Sequence, residues 1–329
     1  MSFFAVLFAL LLEQVKPLPR RNAVHAALSG WMEWTAKNFD AGRNSHAWVV
    51  WCITVLLPTL LIVGVYLGLA RLHSLVGLTF DVAVLYLTLG FRQFSHYFTD
   101  IRAALDRGDE IEARRLLSEW RHLDASELPA SEFLRHLIEH SLLAAHRHVF
   151  GVFFWFVLLS GFGLGPAGAV LYRMAEYASR YWARPSGAAG IAVNERLLTL
   201  SLRLFHLLDH VPARLTASGF AVVGNFEEAV NCWRRDATLW KYHSEGVILA
   251  AAAGAAGIRL GGGSAPGLAE DPAKPFEAGA LAESTDAAGS TPGAPPTLGH
   301  LRSVVGLVWR SVVLWMLLLA LLSLANLTG

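Results

Sequence analysis

Two long runs without a charged residue constrain this chain more than any other feature of its sequence. Residues 47–70, AWVVWCITVLLPTLLIVGVYLGLA, and residues 149–172, VFGVFFWFVLLSGFGLGPAGAVLY, each cover 24 positions without Asp, Glu, Lys or Arg. A helix needs about 20 consecutive apolar residues to cross a hydrocarbon core about 30 Å thick. A helix also satisfies its own backbone hydrogen bonds in lipid. Both runs therefore predict transmembrane helices.

The composition agrees with a membrane protein. The chain has 329 residues, of which 54% are hydrophobic and 16% are charged, whereas soluble domains usually carry about 25% charged residues. The net charge of +1 gives no overall positive charge that would indicate a nucleic-acid partner. Cys52 and Cys232 have no paired spacing, so neither a disulfide framework nor a cysteine-ligated metal site is expected.

The pattern along the chain predicts an all-α, polytopic helical membrane protein with about four transmembrane helices and further amphipathic and re-entrant helices. Residues 74–91 follow the first run after a short connection, which indicates a helical hairpin. Two shorter apolar pieces, 215–224 and 246–258, predict re-entrant or surface-lying helices. The predicted divisions are an amphipathic N-terminal segment (1–46), the transmembrane hairpin (47–91), a cytoplasmic helical insertion (92–148), a third transmembrane helix (149–172), an amphipathic or re-entrant region (173–260), a flexible linker (261–299) and a C-terminal transmembrane helix (300–329).

Basic residues indicate the orientation of the first half. Five of them precede the first span, eight lie within 92–148, and the hairpin connection holds one. The positive-inside rule therefore places the N-terminus and the 92–148 segment in the cytoplasm. The side of residues 173–302 stays open, because long loops escape that rule.

Residues 136–140, HLIEH, match the spacing of one class of metallopeptidase. On a helix His136 and His140 share a face and Glu139 lies beside it, which permits a zinc site. The pattern arises easily in a chain with 13 histidines, however, and no third ligand has a recognisable spacing. The basic side chains that follow, including Arg147, fit either a position near lipid headgroups or a role facing an anion.

The stretch LLDHVPARLT, residues 207–216, places a proline among charged residues between two apolar runs. Pro212 predicts that the preceding helix ends or kinks near His210. Arg214 then lies in the first turn of a new helix, where a cation opposes the helix dipole. We therefore expect Arg214 to have an acidic or anionic partner, with Asp209 and Glu139 as candidates.

Four segments in a fixed order resemble the CobD/CbiB family of cobalamin biosynthesis, the adenosylcobinamide-phosphate synthases, and its AmpE-like branch. They are VFFWFVLLSG, GPAGAVLYRM, LLDHVPARLT and AAAGAAGIRLGGG. The resemblance covers most of the chain. It implies a multi-pass protein of the bacterial inner membrane, surrounded by lipid, with a corrinoid or a membrane protein as its partner.

The resemblance also assigns positions. Glu139 occupies the place of a family Glu, and Pro212, Ala213 and Arg214 match a family Pro-Ala-Arg. The acids that follow the first Glu in the enzyme pattern, and the Asp pair ahead of Pro-Ala-Arg, are absent here. Their places are taken by Leu143, Ala144, Arg147, Phe205 and His206. The loss would remove ligands of a metal–phosphate group.

These departures favour a non-catalytic or repurposed, AmpE-like member. The alternative is an active synthase that joins an aminopropanol-type amine to a corrinoid carboxyl and would need ATP and Mg²⁺; no other cofactor is indicated. A third hypothesis is a zinc membrane peptidase that uses the HLIEH pattern. The candidate functional residues are Glu139, Arg147, Asp209, Pro212 and Arg214, with His136, Glu139 and His140 as metal candidates.

Overall fold

A computed structural model describes residues 2–15, 23–40, 44–89, 91–121, 125–126, 128–183, 193–262 and 290–328. Within these ranges the chain is helical, and its β-structure is limited to two isolated bridges. The predicted all-α fold is confirmed. The helices are α1 (Ser2–Val15), α2 (Ala23–Phe39), α3 (Asn44–Trp51), α4 (Leu57–Leu72), α5 (Ser74–Thr88), α6 (Phe91–Asp106), α7 (Glu110–Arg121), α8 (Ala130–Ala145), α9 (Gly151–Gly161), α10 (Ala167–Trp182), α11 (Glu195–Val223), α12 (Phe226–Asp236), α13 (His243–Ala256) and α14 (Leu298–Thr328).

Three helical stretches in the described ranges are long and apolar enough to cross a membrane. They are His46–Leu72, Ala130–Gly161 and Leu298–Ala325. A π-helical segment joins α3 to α4 in the first stretch, and another joins α8 to α9 in the second.

The predicted hairpin forms, because His73 alone separates α4 from α5 and the two helices pack together. With 15 residues, α5 is about 22 Å long. It is therefore shorter than the hydrocarbon core of about 30 Å, and it is an apolar helix below the length of an ordinary span.

The predicted third span, 149–172, is not one helix. α9 ends at Gly161 and the chain turns back into α10. The turn contains Gly163 and Gly165 with φ of 76° and 57°, a left-handed conformation that glycine adopts without steric cost. The spanning helix instead extends in the other direction and starts at Ala130, inside the segment that was predicted to be the cytoplasmic insertion.

α10 lies close against α9, as the glycine and alanine content of this stretch predicts. A Cβ atom on Gly168 would lie 1.8 Å from the carbonyl oxygen of Trp155. The absence of a side chain at Gly168 therefore permits the contact between the two backbones.

The helix that precedes Pro212 was predicted to end or kink near His210, and it does not end there, because α11 continues through Pro212. Proline lacks the N–H that would bond to the carbonyl of Leu208 one turn earlier. The indole N–H of Trp155, on α9, donates to that carbonyl at 3.1 Å. A side chain from another helix therefore replaces the backbone hydrogen bond that proline removes, and α11 stays intact.

α13 is a central helix and does not lie on the surface. Every residue from Gly246 to Ala253 is buried, and α8, α11, α12 and α14 pack around it. The other short apolar piece, 215–224, forms the last turns of α11 and the residue that follows it.

Most of the predicted linker, residues 263–289, lies outside the described part of the chain. Its two flanks are joined to each other. The N–H of Arg259 donates to Ala294 at 2.8 Å, and the N–H of Thr291 donates to Leu260 at 2.9 Å. The chain therefore leaves and re-enters the described structure at one place.

Candidate functional site

Three consecutive polar residues, His146, Arg147 and His148, occupy the π-helical segment between α8 and α9. Such segments insert a wider turn into an α-helix and often occur at functional sites. The first two side chains diverge. His146 contacts α11, and Arg147 contacts α13. The junction of α8 and α9 therefore connects two neighbouring helices through polar groups.

His146 is hydrogen-bonded through both ring nitrogens. Nε2 lies 2.8 Å from a carboxylate oxygen of Asp209, and Nδ1 lies 2.9 Å from the hydroxyl of Thr216. The hydroxyl of Tyr172 donates to the same Asp209 oxygen at 2.7 Å. All four residues are buried. We call His146, Tyr172, Asp209 and Thr216 the polar cluster.

One proton position follows from these contacts. Nε2 of His146 faces a carboxylate, which only accepts, so Nε2 donates to Asp209. The hydroxyl of Thr216 lies 2.9 Å from Nδ1 of His146 and 3.0 Å from the carbonyl of Pro212, and it connects the ring to the backbone of α11.

Asp209 lies on α11, which is not one of the three candidate spans, and its environment keeps its carboxyl ionised. Burial would raise the pKa of Asp209. Its contact and hydrogen bond with His146, the hydrogen bond of Tyr172 and the charge of Arg147 together hold that pKa below its ordinary value. Asp209 is therefore a buried carboxylate at neutral pH.

The other buried acids near the cluster are paired as well. Arg147 donates to Glu245 of α13. Glu176 is fully buried on α10, between Arg173 at 2.9 Å and Arg180. A buried carboxylate is tolerated when it is paired in this way, so each of these acids is compensated within the chain.

Glu139 lies on α8, where it contacts the chain that follows α13. Its Oε1 accepts the N–H of Gly261 at 2.7 Å, and Arg135 lies 3.8 Å from the same oxygen. His136 is 4.0 Å from the other oxygen, while the ring of His140 packs edge-on against Trp120. No group of three or more His, Cys, Asp or Glu side chains within the described ranges is placed to hold a metal ion. The zinc arrangement that the HLIEH spacing permits is therefore not formed there.

Arg214 does not contact the acids expected as its partners. Its guanidinium donates to the carbonyl of His210, one turn earlier on α11, at 2.9 Å. Asp209 binds His146 and Tyr172, and Glu139 binds Gly261. The expected pairing of Arg214 with Asp209 or Glu139 is wrong.

The positions at which the resembled enzymes carry acids face the protein interior here. Phe205 packs against Tyr172 with ring centroids 5.7 Å apart, and His206 stacks on Tyr242 at 4.6 Å. Leu143 and Ala144 are buried on α8. In the described part of the chain, these residues do not fit a metal–phosphate group, because they offer no free oxygen ligands.

Sequence reasoning named Asp209 and Arg147 as candidates but not their partners Tyr172 and Glu245. These partners come from two other helices, α10 and α13, and no local spacing connects them with Asp209 or Arg147. The available signal was the run of three polar residues at the start of an apolar stretch, since intramembrane polar groups need partners.

The fold and the cluster define an all-helical membrane protein in which buried polar side chains connect neighbouring helices. The sequence model of the family described as CobD/Cbib protein matches residues 2–284. The chain belongs to the CobD/CbiB family.

Two relatives bear the name cobalamin biosynthesis protein CobD. The protein of Stutzerimonas stutzeri (strain A1501) is 32% identical over 321 residues, which cover 96% of each chain. The protein of Chromobacterium violaceum is 35% identical over 200 residues, 60% of each chain. No solved structure matches the chain.

Proposed function

We propose that this chain is a multi-pass inner-membrane member of the CobD/CbiB family that does not itself form the corrinoid amide and acts through a membrane partner, as an AmpE-like protein. One observation carries this proposal. The places that the resemblance gives to enzyme acids hold the packed side chains of Phe205 and His206, and the nearby acids Asp209 and Glu176 are partnered within the chain.

The chemistry of the alternative explains why this observation matters. Forming an amide at the expense of a nucleotide needs oxygen ligands that hold Mg²⁺ on phosphate. Asp209 uses one carboxylate oxygen to accept from both His146 and Tyr172. Within the described ranges, no group of three or more His, Cys, Asp or Glu side chains is placed to hold a cation with it.

The second candidate function is an active synthase that joins an aminopropanol-type amine to a corrinoid carboxyl. The similarity to the Stutzerimonas stutzeri protein over 96% of both chains favours it. An alignment of this extent includes all the helices that carry the polar cluster. The similarity alone therefore does not separate the two functions, and they require a direct test.

Complementation separates the two candidates. The chain is expressed in a strain that lacks its synthase, with the Stutzerimonas stutzeri relative as the positive control. We expect the relative to restore corrinoid amidation and the chain not to restore it, although an immunoblot finds it in the membrane fraction. Amidation restored by the chain would establish the synthase.

A second measurement guards against a chain that is inactive because it is misfolded. One portion of the purified protein is heated to verify that it unfolds cooperatively and is therefore folded. Another portion is incubated with ATP, Mg²⁺, a corrinoid acid and the amine. A folded sample that forms no amide supports the proposal, whereas amide formation contradicts it even if complementation fails.

A further inference from the structure

A groove with two arginines lies between the start of α3 and the first turns of α11. It has a volume of about 420 Å³ and is formed in part by Trp48, Glu195, Arg196, Leu200 and Arg203. The groove lies toward the start of α11, ahead of Asp209, and none of its lining residues belongs to the polar cluster.

The groove opens at a membrane boundary. Trp48 lies in the first turn of the candidate span His46–Leu72 and is 51% exposed. Tryptophan is enriched where hydrocarbon meets water. The polar start of α11 lies beside this turn, because α3 and α11 pack together. A ligand in the groove would therefore contact the headgroup level of a lipid leaflet.

The basic groups of the groove point to a phosphate. Arg196 and Arg203 are separated by two helical turns, about 10 Å along the axis, and both line the groove. Within the described ranges, neither guanidinium has a hydrogen bond or an ion pair. Thr199 lies between them on the same helix face and adds a hydroxyl. Guanidinium groups present forked donors that match phosphate oxygens.

We propose that this groove binds the phosphate headgroup of an anionic phospholipid. Arg196 and Arg203 bind the phosphate, while Trp48 and Leu200 contact the upper part of the acyl chains. Glu195 also lines the groove and leaves its lining with one net positive charge. Basic pockets between membrane helices are suited to anionic headgroups. The inference does not depend on the proposed function.

The test measures which lipid stays bound. The full chain is reconstituted into nanodiscs that contain equal amounts of phosphatidylcholine and phosphatidylglycerol, and native mass spectrometry quantifies the lipids retained on the released protein. We expect the wild type to retain phosphatidylglycerol preferentially. The double variant R196Q/R203Q should lose that preference by about fivefold for each arginine removed.

Two matched variants accompany the test. R107Q/R234Q removes the same charge from two exposed arginines elsewhere on the surface and should retain lipids as the wild type does. Glu195→Gln removes the acid from the groove and should increase the preference for phosphatidylglycerol. If R196Q/R203Q does not fold in phosphatidylcholine alone, the direction of the Glu195→Gln effect decides the matter.

Three results would overturn the proposal. One is an equal lipid preference in the wild type and R196Q/R203Q. Another is a Glu195→Gln variant whose preference does not rise. The third is that inorganic phosphate displaces the retained lipid and stabilises the lipid-free protein as much as the lipid does. The groove would then be a site for soluble phosphate.

Discussion

His146 connects the candidate span Ala130–Gly161 to α11 through two hydrogen bonds. The carboxylate of Asp209 accepts from both His146 and Tyr172 in a buried site. A low dielectric strengthens these bonds and also raises the cost of leaving any one of the groups alone. Single substitutions at the two residues should therefore have very different effects.

Asp209→Ala should lower the free energy of unfolding by about 2–6 kcal/mol, because it leaves two buried donors, on His146 and Tyr172, without their shared acceptor at about 1–3 kcal/mol each. Tyr172→Phe removes one hydrogen bond to an acceptor that keeps its main partner, so the loss should be about 1.5–3 kcal/mol. Denaturant unfolding of the purified chain in mixed micelles measures both. Equal losses in the two variants would show that the His146–Asp209 pair has no special weight.

Pro212 and Trp155 act together at the level of helices. Trp155→Phe leaves the carbonyl of Leu208 without a donor, and we expect this to cost about 1–3 kcal/mol. In a Pro212→Ala background the new N–H of residue 212 can bond to that carbonyl, so the same Trp155→Phe change should cost much less. Unfolding of the two single variants and the double variant gives the coupling energy. An additive cycle would contradict the replacement of the proline's missing bond by the indole.

The contact between α9 and α10 gives a prediction at the same scale. A Cβ on Gly168 would overlap the carbonyl of Trp155. Gly168→Ala should therefore destabilise the chain by about 1–3 kcal/mol or more. Gly161→Ala is the matched control, because a Cβ there has no neighbour within 4 Å. Thermal unfolding of both variants in one detergent measures the difference. A Gly168→Ala variant as stable as Gly161→Ala would show that the two helices can separate without cost.

The helices show which features are predictable from the sequence. Uncharged runs are local, and helices lie where the runs at 47–70 and 303–325 indicate them. The run at 149–172 is not one helix, because Gly163 and Gly165 interrupt it through their backbone conformation, which hydropathy does not register. The helix does not end at Pro212 for another reason. The donor that binds the carbonyl left open by the proline, Trp155, is 53 residues away in sequence from that carbonyl.

The same difference between local and distant information applies to the candidate site. Asp209 and Arg147 could be found because charged residues beside apolar runs are unusual. Their partners Tyr172 and Glu245 depend on how α10 and α13 pack, which no spacing in the sequence encodes. The expected partner of Arg214 was wrong because a helix carbonyl, present in any helix, satisfied its guanidinium.

The whole molecule combines an apolar exterior with paired charges inside. Leucines on α4 and α14 are exposed, as a lipid-facing surface requires, while Asp209 and Glu176 are buried near the junction of α8 and α9 and are bound by polar or basic side chains. In lipid, helix association relies on close packing and hydrogen bonds between helices, because apolar surfaces gain little from contact with each other. The buried polar contacts therefore contribute to holding the helices together.

The path of the chain through the membrane depends on whether α5 crosses it. At about 22 Å, α5 requires a locally thinned bilayer or help from flanking residues to do so. The basic residues of the segment that follows α5 favour the cytoplasmic side under the positive-inside rule. We therefore predict that α5 crosses and returns the chain to the side of the N-terminus.

Cysteine labelling tests this topology in a variant whose native cysteines are replaced, Cys52→Ser and Cys232→Ser. Leu72, at the α4–α5 turn, is 76% exposed, and Ile111, on α7, is 84% exposed. With a membrane-impermeant maleimide, Leu72→Cys should react in intact spheroplasts, and Ile111→Cys should react only in inverted vesicles. Both should react after permeabilisation, which controls for accessibility. If the two cysteines react from the same side, α5 does not cross, and the chain after it lies on the side opposite to the N-terminus.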